Sequence, residues 1–381
     1  MIKKTNLPEG WARSVLGDNF DVQLGKMLSE KAKAGLQLPY LANFNVRWGY
    51  FDFKKLNTMA FSDQEKKKYK LLKDDLLICE GGEIGRCAVW KNLDFEIYYQ
   101  KALHRVRPKN DKAITKFLCF YIQLIASQGK LSRLVGETSI PHLTRETLIK
   151  LPILLPPLSE QRAIADLLST WDDAIEKTGR LIEKKEERFR GLLNELIKKP
   201  SKNEDWKKFK LGAISKIEKG KQLNIEHMKD DGKYYALNGG VEPSGRTDDW
   251  NTEAGTITIS EGGNSCGYVN YNLERFWAGG HCYTLLKINN ITSSYYLYFY
   301  LKLNEPRLMS LRVGSGLPNI QKKDVYKFEI QLPSFNEQHK ITEVLFSAQQ
   351  EIDLLKQLLS KYQTQKRGLM QKLLTGEWRI K

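Results

Sequence analysis

The stretch SEQRAIADLLSTWDDAIEKTGRLIEKKEERFRGLLNELI, Ser159–Ile197, sets Ile164, Leu168, Trp171, Ile175, Thr178, Ile182, Lys185, Phe189, Leu192 and Leu196 at alternating steps of four and three. That alternation is the a/d seam of a coiled coil, sustained for about five heptads. The pattern returns 177 residues later as Ile341, Leu345, Ala348, Ile352, Leu355, Leu359, Tyr362, Lys366, Leu369 and Leu373. Pro141–Leu193 aligns with Pro318–Met370 without a gap. The alignment carries Leu155-Pro156 onto Leu332-Pro333, Glu160-Gln161 onto Glu337-Gln338, and Arg190-Gly191-Leu192 onto Arg367-Gly368-Leu369. The chain is an internal duplication of a globular region followed by a long helix.

Outward from the first helix, a globular region extends back from about Ile153 to Asn6. Lys73-Asp74-Asp75-Leu76-Leu77-Ile78 reads as a turn feeding a buried strand that opens into Glu80-Gly-Gly-Glu-Ile-Gly85. Ile114–Ala126 has helical periodicity with an aromatic face of Phe117, Phe120 and Tyr121. Val135–Pro141 reads as a polar turn and Leu151–Leu155 as a last strand. Pro156-Pro157 stops that strand, and Ser159 with Glu160 starts the helix. A second region, about Trp206 to Leu332, repeats this outline. Trp206…Leu211-Gly212 echoes Trp11…Leu16-Gly17, Glu261-Gly262-Gly263 echoes Glu80-Gly81-Gly82, and Tyr295–Leu303 repeats the aromatic helix.

Connectivity then predicts the layout. Each helix of roughly 38 residues would span about 57 Å at 1.5 Å per residue. The second helix buries its seam most simply by returning along the first. The expected fold class is α+β, two similar α/β domains separated by two long helices in an antiparallel coiled coil with a pseudo-twofold axis. Lys185 facing Tyr362 or Lys366 is expected to fix the register.

The net charge of +16 is unevenly placed. Ser159–Lys198 holds nine acidic and eight basic residues and Asn336–Leu374 four and six, so the helices carry +1 of that excess and the remaining sequence +15. Positive charge concentrated on globular regions is the footprint of a polyanion binder. The five cysteines, Cys79, Cys87, Cys119, Cys266 and Cys282, form no CxxC pair and no zinc spacing, which fits a reduced, cytoplasmic compartment. Met1-Ile-Lys-Lys-Thr5 lacks an apolar leader core, and no stretch is apolar enough to span a membrane.

Leu155-Pro-Pro-Leu-Ser-Glu-Gln161 and Leu332-Pro-Ser-Phe-Asn-Glu-Gln338, each closing a variable region and opening a long helix, resemble the repeated motif of type I restriction-modification specificity subunits. Leu7-Pro-Glu-Gly-Trp11 and Lys73–Ile78 are similar to that family's domain opening and mid-domain strand. Ser334 stands where the first copy has a second proline, while Pro333 still ends the strand. The resemblance implies a first target recognition domain over 1–155, a spacer helix over 156–199, a second recognition domain over 200–333 and a second spacer helix over 334–381. It implies that each domain reads one half of a bipartite double-stranded DNA site. The helices would set the spacer and dock two modification (methyltransferase) subunits, and restriction (translocase/nuclease) subunits would join that core. No cofactor is expected in this chain; S-adenosylmethionine would sit in the methyltransferase partner, and ATP and Mg in the restriction subunit.

Catalytic signatures are missing from the sequence. The only Pro-Pro lies in the linker, no GxxxxGK[ST] loop exists, and Glu80–Gly85 has no βαβ unit after it. His104, His142, His227, His281 and His339 assemble no Ser/His/Asp arrangement. The chain is expected to be no enzyme. Base reading calls for Arg, Lys, Asn, Gln or Ser on rigid supports. In the first domain the candidates are Arg47, Arg86, Lys101, His104, Arg105, Ser139, His142 and Arg145. In the second they are Asn238, Arg246, Asn264, Ser265, His281, Arg312, Ser315, Asn319 and Lys322. Trp48, Trp90, Trp250 and Trp277 are expected in cores. A coiled-coil scaffold joining two protein-binding modules would share this architecture without needing the charge. A fused restriction-modification enzyme would need several hundred more residues.

Overall fold

The computed structural model describes residues 7–28, 35–91, 95–135, 142–200, 205–314, 316 and 318–380. Two compact units emerge, one formed by Met1–Lys177 with Leu359–Lys381, the other by Thr178–Leu358.

In the first unit the order is β1 (Ala12–Val15), α1 (Leu16–Asn19), β2 (Phe20–Leu24), β3 (Gln37–Leu41), β4 (Asn57–Ala60), α2 (Asp63–Tyr69), β5 (Leu76–Cys79), β6 (Cys87–Val89), β7 (Tyr98–Tyr99) and β8 (Leu103–Pro108). Then come α3 (Thr115–Ser127), α4 (Lys130–Val135), α5 (Arg145–Ile149), β9 (Pro152–Leu155) and α6 (Leu158–Leu193), the last of which continues into the second unit. The strands form a four-stranded sheet β2-β8-β5-β6, a three-stranded sheet β4-β3-β7 and the pair β1-β9. β5 explains how these layers stack. All four of its residues are buried, and alternation sends Leu76 and Ile78 into one core and Leu77 and Cys79 into another. The first core joins the sheet to α3 and to seam residues Ile164 and Leu168; the second fills the space around Trp90, Tyr99 and Leu41.

The second unit repeats the plan strand for strand: β10 (Lys207–Lys210), α7 (Leu211–Ile214), β11 (Lys216–Lys219), β12 (Tyr234–Leu237), β13 (Gly245–Thr247), β14 (Thr256–Ser260), β15 (Val269–Asn272), β16 (Trp277–Ala278) and β17 (Cys282–Leu286). α8 (Ser294–Leu303), α9 (Glu305–Met309), α10 (Lys322–Lys327), β18 (Glu329–Leu332) and α11 (Phe335–Leu373) follow. Its sheets, β11-β17-β14-β15 and β13-β12-β16 with the pair β10-β18, match the first unit's in order. Ile257 and Ile259 face the main core, as Leu76 and Ile78 do, but the other face of β14 is lined by Thr256, Thr258 and Ser260.

Every seam position in both helices is buried or half-buried. In the first unit Trp171 meets Tyr362 edge-on at 5.6 Å, and Asp172 pairs with Lys366, whose ammonium also lies 5.2 Å from the Phe120 ring. Glu160, near the start of α6, is met by Arg379, just past the end of α11, so the helices run antiparallel there. In the second unit Lys185 pairs with Glu351 at 2.6 Å and Lys356 with Glu186 at 2.6 Å. The expectation that Lys185 faces Tyr362 or Lys366 is therefore corrected. Each seam cation takes a carboxylate from the other helix, which avoids setting one lysine against another.

The Glu-Gln motif is a clamp between helix and domain. Gln161, fully buried, accepts from Ile114 N at 3.1 Å and donates to the carbonyls of Lys112 and Pro156 at 2.8 and 2.9 Å. Gln338, equally buried, accepts from Ser293 N at 2.8 Å and donates to Ile291 and Pro333 at 2.9 and 3.1 Å. Each therefore ties a helix start to the loop leading into the aromatic helix. One acceptor and two donors are required, which an amide supplies and a carboxylate does not. Gln338→Ala is expected to lower stability by about 2–4 kcal/mol, because it strands a buried N–H and two carbonyls. Gln338→Glu is expected to cost at least as much, since a carboxylate would face two carbonyl oxygens. Urea denaturation followed by circular dichroism measures both; loss of under about 0.5 kcal/mol would show that the clamp carries little.

Candidate nucleic-acid interface

At one end of each four-stranded sheet three chain segments converge, joined by the same bonds in both units. In the first, Glu80 N donates to Ala102 O at 2.9 Å and Leu143 N donates to Glu80 O at 2.7 Å. In the second, Glu261 N donates to His281 O and Ile320 N to Glu261 O, both at 2.8 Å. A side chain completes each staple: His104 Nε2 is bonded to Leu143 O at 2.8 Å, and Tyr283 Oη donates to Ile320 O at 2.9 Å. Beside each staple is a glycine-bounded turn in which Gly82 and Gly263 both have φ 74°, a conformation that excludes most side chains. A rigid strand end thus carries short loops whose backbone can approach a ligand closely.

Most second-domain candidates collect here. Asn238 Oδ1 accepts from His281 N at 3.2 Å, and Ser265 Oγ donates to Gly239 O at 2.6 Å. Asn319 exchanges backbone bonds with Val313 at 2.8 and 3.1 Å and bridges to Gly262. Asn264, His281, Arg312 and Asn319 are exposed. Glu261 sits among them with Lys219 Nζ at 2.6 Å and His281 Nδ1 at 3.5 Å. Neither Glu261 nor Lys219 is among the residues the sequence offers for DNA contact: Glu261 stands out there only as part of the repeated Glu-Gly-Gly, and Lys219 looks like an ordinary strand-end charge. In the first domain Lys101 and His142 are exposed at the equivalent loops, and the His142 ring lies against Gly81, where a Cβ would come within 3.2 Å of Nδ1.

Arg145 and Lys322 take the same place in the two domains, as the first residues of α5 and α10. Both are exposed and line clefts beside β2 and β11; Arg145 shares its cleft with Gln23, Lys68 and Lys101, and Lys322 with Lys216 and Lys287. Arg145 Nε also holds Val22 O at 2.7 Å. Arg47 is half-buried, with a guanidinium nitrogen 3.7 Å from Asp52.

Several expectations are corrected. His104 is fully buried, and burial pushes its imidazole below the usual histidine range. Its place and bond match those of Tyr283, so it is a strut. Arg105 is buried against Asp21, and Arg86 turns inward to hold the Asn43 carbonyl at 2.8 Å. Arg246 stays exposed on β13, with its guanidinium donating to the carbonyls of Gly232 and Lys233 at 2.6 and 2.9 Å. Trp90 is buried as expected, but Trp48 and Trp277 are half-buried, and Trp250 is exposed beneath Arg275, whose guanidinium lies 4.4 Å from its ring. Ser139 and Ser315 lie outside the described residues.

Among the described residues no group of three or more metal-binding side chains occurs, and no helix is long and apolar enough to cross a membrane. The sequence profile described as the type I restriction modification DNA specificity domain matches residues 8–185 and again 203–362. A Mycoplasma pneumoniae protein named a type I specificity subunit is 34% identical over 159 residues, covering 41% of this chain and 42% of that one. The type I restriction enzyme MjaVIII specificity subunit of Methanocaldococcus jannaschii is 23% identical over 420 residues, 98% of this chain and 94% of that one. The crystal structure of a type I restriction-modification S subunit from M. genitalium superposes with a TM-score of 0.70 at 21% identity, over 98% of both chains. The chain thus spans 42% of the mycoplasmal relative's length but nearly all of the archaeal one. With its domain matched twice over most of the sequence and the duplicated strand order of the two units, the chain belongs to the type I restriction-modification DNA specificity family.

Proposed function

We propose that this chain is the non-catalytic, cytoplasmic DNA-recognition subunit of a type I restriction-modification complex. Each domain reads one half of a bipartite site in double-stranded DNA, and the long helices set the spacer and dock two methyltransferase subunits, with restriction subunits joining them. S-adenosylmethionine belongs to the methyltransferase partner, and ATP and Mg to the restriction subunit. The observation that carries this reading is the stapled loop cluster repeated in both domains with different side chains at its tip. His281 stands where the first domain has Ala102, and Asn319 where it has His142. A common frame with divided chemistry suits two readers of different sequences. The +15 outside the helices favours a polyanion over a protein ligand.

Binding to a duplex is expected to fall steeply with salt, by nearly one unit of log affinity per log salt for each phosphate contact. Removing an exposed cation such as Lys101 or Arg312 by an alanine substitution is expected to lower that slope by about one if it meets phosphate, or to relax one base position if it reads a base. Fluorescence anisotropy of the full chain across a salt series measures this. A flat response would leave the proposed interface without support.

A further inference from the structure

Between β3 and β4 the first domain has fifteen residues, 42–56, where the second has only seven, 238–244, between β12 and β13. The longer segment contains Phe44, Trp48, Tyr50, Phe51 and Phe53, while the shorter has no aromatic residue. Connections of this length with a fixed conformation are more often functional than incidental.

This segment is held rigidly. Asn45, 1% exposed, donates to the carbonyls of Asp52 and Lys55 at 2.8 and 2.7 Å and accepts from Ala42 N at 2.9 Å. Phe51 and Phe53 pack edge-on against Trp90, with centroids at 5.5 and 6.2 Å. Val46 and Phe51 bridge across a tight hairpin in which Arg47 N donates to Tyr50 O at 2.9 Å. Gly49, at φ 83°, turns the hairpin and donates to Cys87 O at 2.9 Å. The aromatic rings therefore divide. Phe51 and Trp48 are partly buried as supports, Phe44 and Phe53 keep 41% and 40% of their surface exposed, and Tyr50 at the tip is the most exposed of the five at 62%. A large ring held out on a rigid turn loses little conformational entropy when it meets a partner.

The hairpin is continuous with the loops proposed to face DNA. Asn43 Nδ2 donates to Gly81 O at 3.0 Å, Arg86 holds the Asn43 carbonyl, and Trp48 Nε1 donates to Glu83. Its charge suits the same ligand, since Lys54 and Lys55 are exposed beside it and Arg47 flanks the tip.

Resting on the DNA-recognition reading, we infer that the 43–53 hairpin is a wedge of the first domain alone, inserting the Tyr50 ring at a base step of its half-site. Lys54 and Lys55 take the adjacent phosphates. Apolar and aromatic wedges unstack a step and kink the duplex, and base–aromatic stacking tolerates sequence because every base has a π-face. The second half-site, served by 238–244, is read without such insertion.

The test uses the full-length chain and a duplex carrying the bipartite site read from the host's methylome. 2-Aminopurine is placed at single positions in either half. The base that is methylated is avoided, because enzymes modifying a base lift it from the stack by themselves. The expected result is an emission rise in the first half-site only, lost in Tyr50→Ala together with about a tenfold weakening of binding. Tyr50→Phe is expected to keep the rise and to bind within about twofold of the parent, since stacking needs the ring and not the hydroxyl. A rise confined to the second half-site, or one that survives Tyr50→Ala, overturns the inference. If the parent binds the site duplex but Tyr50→Ala alters neither signal nor affinity, the wedge fails while the recognition reading stands. If the parent shows no preference for the site duplex at all, the recognition reading itself fails.

Discussion

Exchanging residues 206–332 for the corresponding domain of another family member is expected to replace one half of the recognised sequence and leave the other half unchanged. The structure supplies the reason such a graft folds. β10 and β18 pair antiparallel with Lys207 opposite Leu332, so the two cut ends are neighbours in a ladder. The first domain closes in the same way, with Ala12 opposite Leu155. The incoming domain must present the Gln338 clamp with a backbone N–H and carbonyl equivalent to those of Ser293 and Ile291. The effect is large. Specific binding exceeds non-specific binding by roughly a thousandfold or more, and each mismatched pair costs about 1–3 kcal/mol. A duplex carrying the old second half-site should therefore fall to the non-specific level. Methylome sequencing of a strain expressing the chimera reads the outcome directly. Alteration of both half-sites would mean that the domains do not read independently.

The helices and the duplicated frame were legible because their signals are local and periodic. A heptad seam announces which face is buried wherever it is placed, and all the seam positions from Ile164 to Leu196 and from Ile341 to Leu373 are buried or half-buried. The role of Gln161 and Gln338 was not legible, although the motif containing them was. Their partners are backbone groups that Gln161 meets at Lys112 and Gln338 at Ile291, and no side-chain pattern marks a carbonyl. The DNA candidates failed where residue type was taken for exposure. Leu103-His104-Arg105-Val106 contains two residues suited to DNA, yet β8 is the inner neighbour of β5 and buries both. The repeat held a signal against His104, since its counterpart in the second copy is Tyr283 and a tyrosine can fill the same strut. Likewise, the unequal length of 42–56 and 238–244 is readable from sequence, but which of its rings serve as supports and which projects farthest depends on Asn45 and Trp90 packing in three dimensions.

Lengthening both helices by one heptad, after Lys177 in α6 and after Leu358 in α11, is expected to abolish recognition of the original site and to create preference for a wider spacer. These points are the boundaries between the two compact units, so each unit keeps its own helix contacts. Trp171 retains Tyr362, and Lys185 retains Glu351. Insertion nearer the second domain would be damaging, because Leu193 and Ile197 are buried in that unit's core and Asn194–Lys198 forms a π-helical turn. Seven residues restore the seam's phase, whereas four would unwind it locally. The added length is about 10.5 Å at 1.5 Å per residue, and at about 3.4 Å per base pair along a strand this amounts to at most roughly three base pairs. Each added pair also turns the duplex by about 34°, taking 10.5 pairs per turn, a rotation that an extended coil does not follow. The preferred spacer is therefore expected to grow by one to three base pairs, with weaker binding at the wider end of that range. Both half-site sequences should stay as they were, since no reader residue is touched. A heptad added to α6 alone serves as the control, because it leaves one seam without partners and should cost stability instead of shifting the spacer. Methylome mapping of the double-insertion strain decides the matter. A folded, active variant that still methylates the original spacing would show that the helices are not the ruler, and that the distance between readers is set elsewhere in the complex.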